Sequence, residues 1–382
     1  MRYAVTCLTP VLVGSGEALS PIDYMIWKDQ VNVLDQKRIF KLLARGPRLD
    51  NYLNQIRRAE KLDFNSWGGF AQNFAGRRIP FEHASLTAHW NRMPSDHLFI
   101  PEFASATSGP YLPASALKGA LRTVIVAARW QARNLEALAG RAKEGPLRRP
   151  GESLEQQILG APAQDCLRAL SLGDSKPVPQ ERFRVYLWRT AKIEPRNNRL
   201  GLTWKGVGRG SVEANRPGEA AARFAEMAMP GSVFEGVWAE PARFAGESFK
   251  RALRWREIPA FRLVRDAAHD YAEFALTAHE KFAASAGLDR LGGEVRRLKS
   301  ALASARAKPD RLILNIGWGG GIYGKTGWPH LEDSNYRRIL GQLPYYARSI
   351  QSGLPFPKTR RVVFLEDRPA TLPGWAELRL IP

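Results

Sequence analysis

The chain has 382 residues, is 44% hydrophobic, and carries 57 Lys and Arg against 37 Asp and Glu, a formal net charge of +20. This is enough apolar material for two domains or one elaborated domain, and a charge spread along the chain predicts an electropositive surface with a polyanion partner, although an arginine-rich proteome would give the same composition. Cys7 and Cys166 alone exclude a disulfide framework or zinc site, and no apolar run has the length of a membrane span or the form of a signal peptide, so the expectation is a soluble cytoplasmic protein without membrane contact or cofactor.

Arg2 to Leu8 alternates as a strand and leads through Thr9-Pro10 to Gly14-Ser15-Gly16, a small turn able to bring backbone amides near a ligand. Asp23 to Leu34 reads as a hairpin bending at Lys28-Asp29-Gln30, with Asp23 either a turn cap or a catalytic carboxylate. Gln36 to Leu62 has a helical stripe through Ile39, Leu42, Leu43, Leu49, Leu53 and Ile56, and Asn65 to Pro80 reads as an irregular loop. Glu82 to Trp90 alternates, which predicts a strand with His83 and His89 on one side. These are either hydrogen-bonded surface histidines or a metal pair or general base.

Tyr111 to Arg129 predicts a helix capped by Ser115, with Leu117, Leu121, Val124 and Ala128 buried. Lys118 and Arg122 oppose the helix dipole, which makes sense if an external phosphate sits at the helix start; otherwise they are solvated surface charges. Gly140 to Gly151 reads as a flexible basic linker. Arg182 to Ile193 alternates as a strand, with Phe183, Val185 and Leu187 on one face and Arg182, Arg184, Tyr186 and Trp188 on the other. A basic and aromatic sheet face suits single-stranded RNA. From Arg182 to Arg216 there are nine Lys or Arg, Arg189 among them, against two Glu, and the part from Asn197 through Gly201 to Gly218 reads as a long loop. Met229 to Glu240 gives a turn and a strand, and Phe249 to Lys308 is helical. Within it His269, Asp270, His279 and Glu280 have the residue types of a metal phosphohydrolase, but both histidines fall on one flank of one helix, without ligands from elsewhere.

Arg311 to Ile316 reads as a strand, followed by six glycines in the eleven residues from Gly317 to Gly327. Glycine permits positive φ and close backbone approach, and such a loop can aim its amides at phosphate, with Lys325 as a mobile charge. Gly319 to Thr326, GGGIYGKT, satisfies the P-loop string. A P-loop needs a helix next, whereas Gly327-Trp328-Pro329 is a helix stop and too few residues remain for the parallel sheet. A short helix around Tyr336 to Leu340 follows, and Lys358, Arg360 and Arg361 enter the final strands.

Taken in order, LTPVLVGSGE with IDYMI, YLPASALKGALR, GDSKPV, MPGSVFEG, IGWGGGIYGKTG and FPKTRR resemble the RAMP superfamily of CRISPR RNA-binding proteins, closest to the fifth Csm subunit of type III-A effector complexes. These segments span Leu8 to Arg361, and the stretches between them carry no such resemblance. The resemblance implies an α+β fold: a ferredoxin-like (RRM-type) RAMP core over 1–240 with a helical insertion near 36–80, a helical region over 241–310, and a C-terminal Gly-rich loop with closing strands over 311–382. It further implies a non-catalytic subunit that caps a filament of related backbone subunits and a small subunit. Such a subunit holds the 3′ part of the guide RNA (crRNA) beside target RNA and helps host nucleases trim the guide's 3′ end. On that reading the Gly-rich loop packs near the LKGALR helix, and the RNA-binding set is Gly14, Ser15, Gly16, Ser115, Lys118, Arg122, Arg182, Arg184, Arg189, Gly317, Gly319, Gly321, Lys325, Lys358, Arg360 and Arg361. Two alternatives stay open: a guide-processing RAMP endoribonuclease with His83, His89 or His97 as general base, and nucleotide binding by the P-loop string. Asp23 lies where backbone subunits carry an acid that cleaves target RNA, but its neighbours do not match.

Overall fold

The computed structural model describes residues 1–44, 49–58, 61–62, 74–131, 133–134, 136–137, 140–141, 150–196, 199–208, 212–255, 258–324, 334–342, 344–351 and 356–382. In chain order the strands are β1 (Arg2–Cys7), β2 (Gly14–Leu19), β3 (Tyr24–Trp27), β4 (Gln30–Leu34), β5 (Ala75–Pro80), β6 (Ile100–Phe103), β7 (Ser105–Ala106), β8 (Gly109–Pro110), β9 (Ser171–Leu172), β10 (Phe183–Arg196), β11 (Arg199–Trp204), β12 (Arg223–Ala228), β13 (Val233–Ala239), β14 (Arg311–Asn315), β15 (Thr359–Leu365), β16 (Arg368–Thr371) and β17 (Trp375–Ile381). The helices are α1 (Gln36–Leu43), α2 (Leu49–Arg58), α3 (Leu86–Arg92), α4 (Ala114–Ala128), α5 (Pro150–Leu159), α6 (Glu247–Ala252), α7 (Phe261–Ala286), α8 (Asp289–Arg306), α9 (Ser334–Leu340) and α10 (Pro344–Gln351). Among the described residues no helix is long and apolar enough to cross a membrane.

Alternation in β1 buries Tyr3, Val5 and Cys7, and the strand pairs antiparallel with β13 on one edge and β17 on the other. The resulting sheet has the order β14-β17-β1-β13-β9, so strands from both ends of the chain share it. A second antiparallel sheet is built on β10, which pairs with β12, β11 and β15, and β15 pairs in turn with β16. The core cluster runs from Tyr3 to Leu380, and a satellite of Leu34, Ile39, Leu43, Tyr52 and Leu62 lies under α1 and α2. Helices α7 and α8 pack on each other and on β14, and α4 packs on α7. The long α7 ends where Gly287 turns left-handed at φ 62, a glycine C-cap.

The hairpin at Asp23 to Leu34 is present, with Lys28 (φ 50) and Asp29 (φ 55) forming the left-handed turn that matches strand twist. Asp23 caps a turn: Oδ2 accepts from Ser20 N at 2.7 Å and Oδ1 from Gln36 Nε2 at 2.8 Å. Several local expectations need correction. Glu82 to Trp90 is not a strand, because Leu86, His89 and Trp90 also have helical spacing and are all buried on α3. Helix α4 begins at Ala114 with Pro113 at its N-cap, so Ser115 is not the cap, and Ala114 N instead donates to Asp174 Oδ1 at 2.7 Å. Ala128 is exposed, and Ile125 is buried in its stead. Residues Ala75–Pro80 form a strand against β4 rather than part of a loop, and Arg199–Trp204 forms β11, because β10 continues to Arg196 and needs a partner for its outer half. The Gln36 to Leu62 stretch is two helices, and most of the expected basic linker lies outside the described residues.

Candidate nucleic-acid interface

The Gly-rich loop leaves β14 and lies on two other backbone segments. Trp318 N donates to Leu12 O at 2.7 Å, and Ile316 N to Gly374 O at 2.7 Å. Gly317 has φ 71, and a Cβ there would stand 2.2 Å from Leu12 O; at Gly319, φ 113, it would stand 2.2 Å from Pro373 Cγ. A Cβ on Gly320 would stand 2.5 Å from Asn315 Oδ1. These glycines therefore serve close packing of the loop on the chain itself. Gly321 and Gly324 bound a short 3-10 turn and have open space on the Cβ side. Lys325, like the rest of the P-loop string's end, lies outside the described residues. Within them, the string follows an antiparallel strand and enters a 3-10 turn, which is not the parallel-sheet setting of a phosphate-binding P-loop. Contact with Leu12 brings the loop close to exposed Gly14, Ser15 and Gly16, which open β2.

Beside the loop lies a cleft of about 690 Å³ bordered by Gly317 to Gly324, Thr190 and Lys192 of β10, Lys205, Lys358 and Arg361. Trp318 is among its lining residues: its ring meets Trp188 edge-on at 4.6 Å, and Arg361 Cζ lies 4.7 Å from the ring centroid. Lys192 is ion-paired to Glu194 and Glu213. Lys205 is exposed and Lys358 half-buried, and both present their chains at the rim. Arg360 is only 6% exposed. Its Nε donates to His279 Nδ1 at 3.0 Å, Nη1 to Pro357 O at 2.8 Å and Thr359 O at 2.9 Å, and Nη2 to the Tyr323 hydroxyl. The guanidinium also stacks on Phe282 and Tyr323 at 4.6 and 4.4 Å. Burial pulls its pKa down to about 10, against the opposing effect of Tyr323, so it stays charged at neutral pH.

The other expected positions are dispersed. Arg189 is 1% exposed, enclosed by Phe364 at 4.9 Å and bonded to His89 Nδ1 at 3.2 Å, so it is a core arginine. Arg182 is exposed but sits in a 3-10 turn before β10, and Arg184 turns back on Glu181 O and Phe183 O. Tyr186 is buried, which closes the expected basic and aromatic face. Lys118 donates to Leu170 O at 2.9 Å, its pKa lowered by burial, and Arg122 pairs with Asp165 and with Glu155 at 3.6 Å. Both thus serve the packing of α4 on the segment before β9. Ser115 is exposed at the second residue of α4. Sequence reasoning missed Trp318, a large aromatic flanked by Gly317 and Gly319; that contrast was the available signal.

The described histidines make contacts within the fold. His89 Nε2 bonds Asp367 at 2.6 Å while its other nitrogen faces Arg189. His97 is buried beside Asp96, its pKa lowered by burial and then by Arg223, and exposed His83 bonds Ser85 at 2.9 Å. Asp270 pairs with Arg306 and Glu280 with Lys299, while His279 meets Arg360. Among the described residues no group of His, Cys, Asp or Glu is placed to hold a metal ion.

Residues 4–323 match the model of the RAMP superfamily, and the chain belongs to that family. Over 424 residues it is 20% identical to the "CRISPR system Cms protein Csm5" of Methanocaldococcus jannaschii, covering 100% of this chain and 89% of that protein. Among solved structures it is similar to a chain of the cryo-EM Csm-crRNA-target RNA ternary complex of a type III-A CRISPR-Cas system, with TM-score 0.67, 18% identity, and coverage of 99% of this chain and 100% of that one. The crystal structure of T.onnurineus Csm5 gives TM-score 0.59, 16% identity, and 99% and 100% coverage. The chain is a RAMP superfamily protein related to Csm5 of type III-A CRISPR complexes.

Proposed function

We propose that this chain is the non-catalytic subunit that caps the backbone filament of a type III-A effector complex, grips the 3′ part of the guide RNA, and assists its 3′ maturation. Its partners are then the crRNA, target RNA, neighbouring RAMP backbone subunits, the small subunit and trimming nucleases, all in the cytoplasm. We also read the first sheet as a ferredoxin-like core, in which β1, β9, β13 and β14 are the four basic strands and β17 is inserted between β14 and β1.

The observation that carries the reading is the cleft. Lys205, Lys358 and Arg361 ring it, Trp318 offers an aromatic surface, and the open turn from Gly321 to Gly324 offers backbone amides. Cations bind phosphates irrespective of sequence, and aromatic rings stack on any base, which together suit a sequence-tolerant hold on single-stranded RNA. Arg189 and Arg360 are left out of this surface because both are buried, and Lys118 and Arg122 because their charges are used within the fold.

The test is assembly of the effector with wild-type chain or with Lys205→Ala/Lys358→Ala. The expected result is weaker retention of guide RNA by the variant and guides with untrimmed 3′ ends. Guides of normal length and occupancy would refute the proposed cleft. Guide cleavage by the purified chain, abolished by His83→Ala, would overturn the non-catalytic reading.

A further inference from the structure

The basic cleft carries a second aromatic group besides Trp318. Tyr346 of α10 and Phe356, which precedes β15, both border the cleft and are both half-buried. Their rings meet edge to face, 5.8 Å between centroids at an interplanar angle of 83°. In that arrangement the ring that presents its edge keeps both of its own faces clear of its partner. Trp318 and Trp188 also meet edge-on, at 64°.

Each aromatic group has a cation of its own. Arg361 lies over the Trp318 ring, and Lys358 stands two residues after Phe356. Lys358 and Arg361 enter β15 three positions apart, about 10 Å of chain at roughly 3.3 Å per extended residue. The two groups can therefore serve different nucleotides of one strand. Cations alone would suit a duplex as well as a single strand, because both present phosphates. Aromatic rings separate the two. A duplex keeps its base faces stacked on one another and is held through phosphates and 2′-hydroxyls, whereas a single strand offers its base faces to the rings.

We infer that Tyr346 and Phe356 form a second base-stacking subsite, so that the cleft holds two unpaired nucleotides and excludes the same nucleotides once they are paired; this rests on the RNA-binding reading above. The segment of guide RNA held here is then one that target RNA does not pair with, and a complementary strand and this chain compete for it.

The test uses the purified full chain and one short RNA, presented single-stranded and annealed to its complement. Wild type is expected to bind the single strand more than about tenfold more tightly than the duplex, in keeping with the stacking that pairing removes. Tyr346→Leu/Phe356→Leu should bind the single strand about tenfold more weakly, within the range for loss of one stacked base. Its slope of log K against log salt should match wild type, because no phosphate contact is removed. Where that variant shows no folded melting transition, an abasic nucleotide moved along the RNA decides the matter in wild type, with two sensitive positions expected. Equal binding of single strand and duplex by wild type, a folded leucine variant of wild-type affinity, or fewer than two sensitive positions overturns the second subsite and leaves the cationic cleft standing. A wild type that binds neither form of the RNA overturns both.

Discussion

A buried guanidinium usually meets a carboxylate, but Arg360 meets His279, Tyr323, two carbonyls and two aromatic faces. Because His279 Nδ1 accepts from Arg360 Nε, its imidazole is held neutral, and burial first and the Arg360 charge second keep its pKa well below 6.5. His269 is pushed down to about 4, by burial and then by Arg306 and Arg265. Unfolded, both histidines titrate near 6.5, so below that pH the unfolded chain takes up protons that the folded chain refuses. Their contribution is therefore intact above about pH 6.5 and is lost as pH falls toward 4, at up to about 1.4 kcal/mol per pH unit for each histidine. Thermal melts across this window should show a falling Tm, with a shallower fall for His269→Leu, whose wild-type Nε2 has no hydrogen-bond partner to lose. A Tm independent of pH in the wild type would contradict the neutral buried histidines. Residue-level detail of this kind was not legible in the sequence. Arg360 and Arg361 are neighbours in a basic run and both border the cleft, but the alternation of β15 buries the first and leaves the second half-buried.

At the scale of elements, the glycines of the loop divide by what surrounds them. Gly317 combines positive φ with a Cβ position 2.2 Å from a carbonyl oxygen, whereas Gly324 has ordinary φ and nothing within 4 Å. Gly317→Ala should therefore destabilise the fold by more than about 1 kcal/mol, with Gly324→Ala close to neutral in the same urea titration. Equal effects would mean that the loop does not rest on Leu12 as described. The strand before this loop, the hairpin at Lys28-Asp29 and the helical character of most of Phe249 to Lys308 were legible because a single periodicity or turn signal governs each. Failures came where two templates fit the same letters. Leu86, His89 and Trp90 satisfy both strand alternation and helical spacing, and burial of all three decided for the helix. The start of α4 departs from the sequence pattern for a different reason: its first amide is capped by Asp174, sixty positions away, which no local pattern contains.

For the whole molecule, the net charge of +20 says that polyanions will be attracted but not where they bind. Salt dependence can separate the two candidate locations, the cleft and the start of α4. Each phosphate contact on a single strand contributes about −0.7 to the slope of log K against log salt, because its neutralisation releases condensed counterions. Lys205 and Lys358 border the cleft, so Lys205→Ala/Lys358→Ala should flatten the slope by about 1.4. Lys118 is bonded to a carbonyl and Arg122 to two carboxylates, so removing them should leave the slope unchanged while lowering Tm through lost packing of α4. The reverse result, a flattened slope for Lys118→Ala/Arg122→Ala and none for the cleft pair, would move the RNA to the helix start. It would require the phosphate to break the Asp165 and Glu155 pairs and displace Asp174 from Ala114 N, exchanging bonds already made within the fold for those to RNA. The cleft asks for no such exchange from Lys358, whose ammonium has no carboxylate to surrender among the described residues, and that difference is why the slope should follow the cleft.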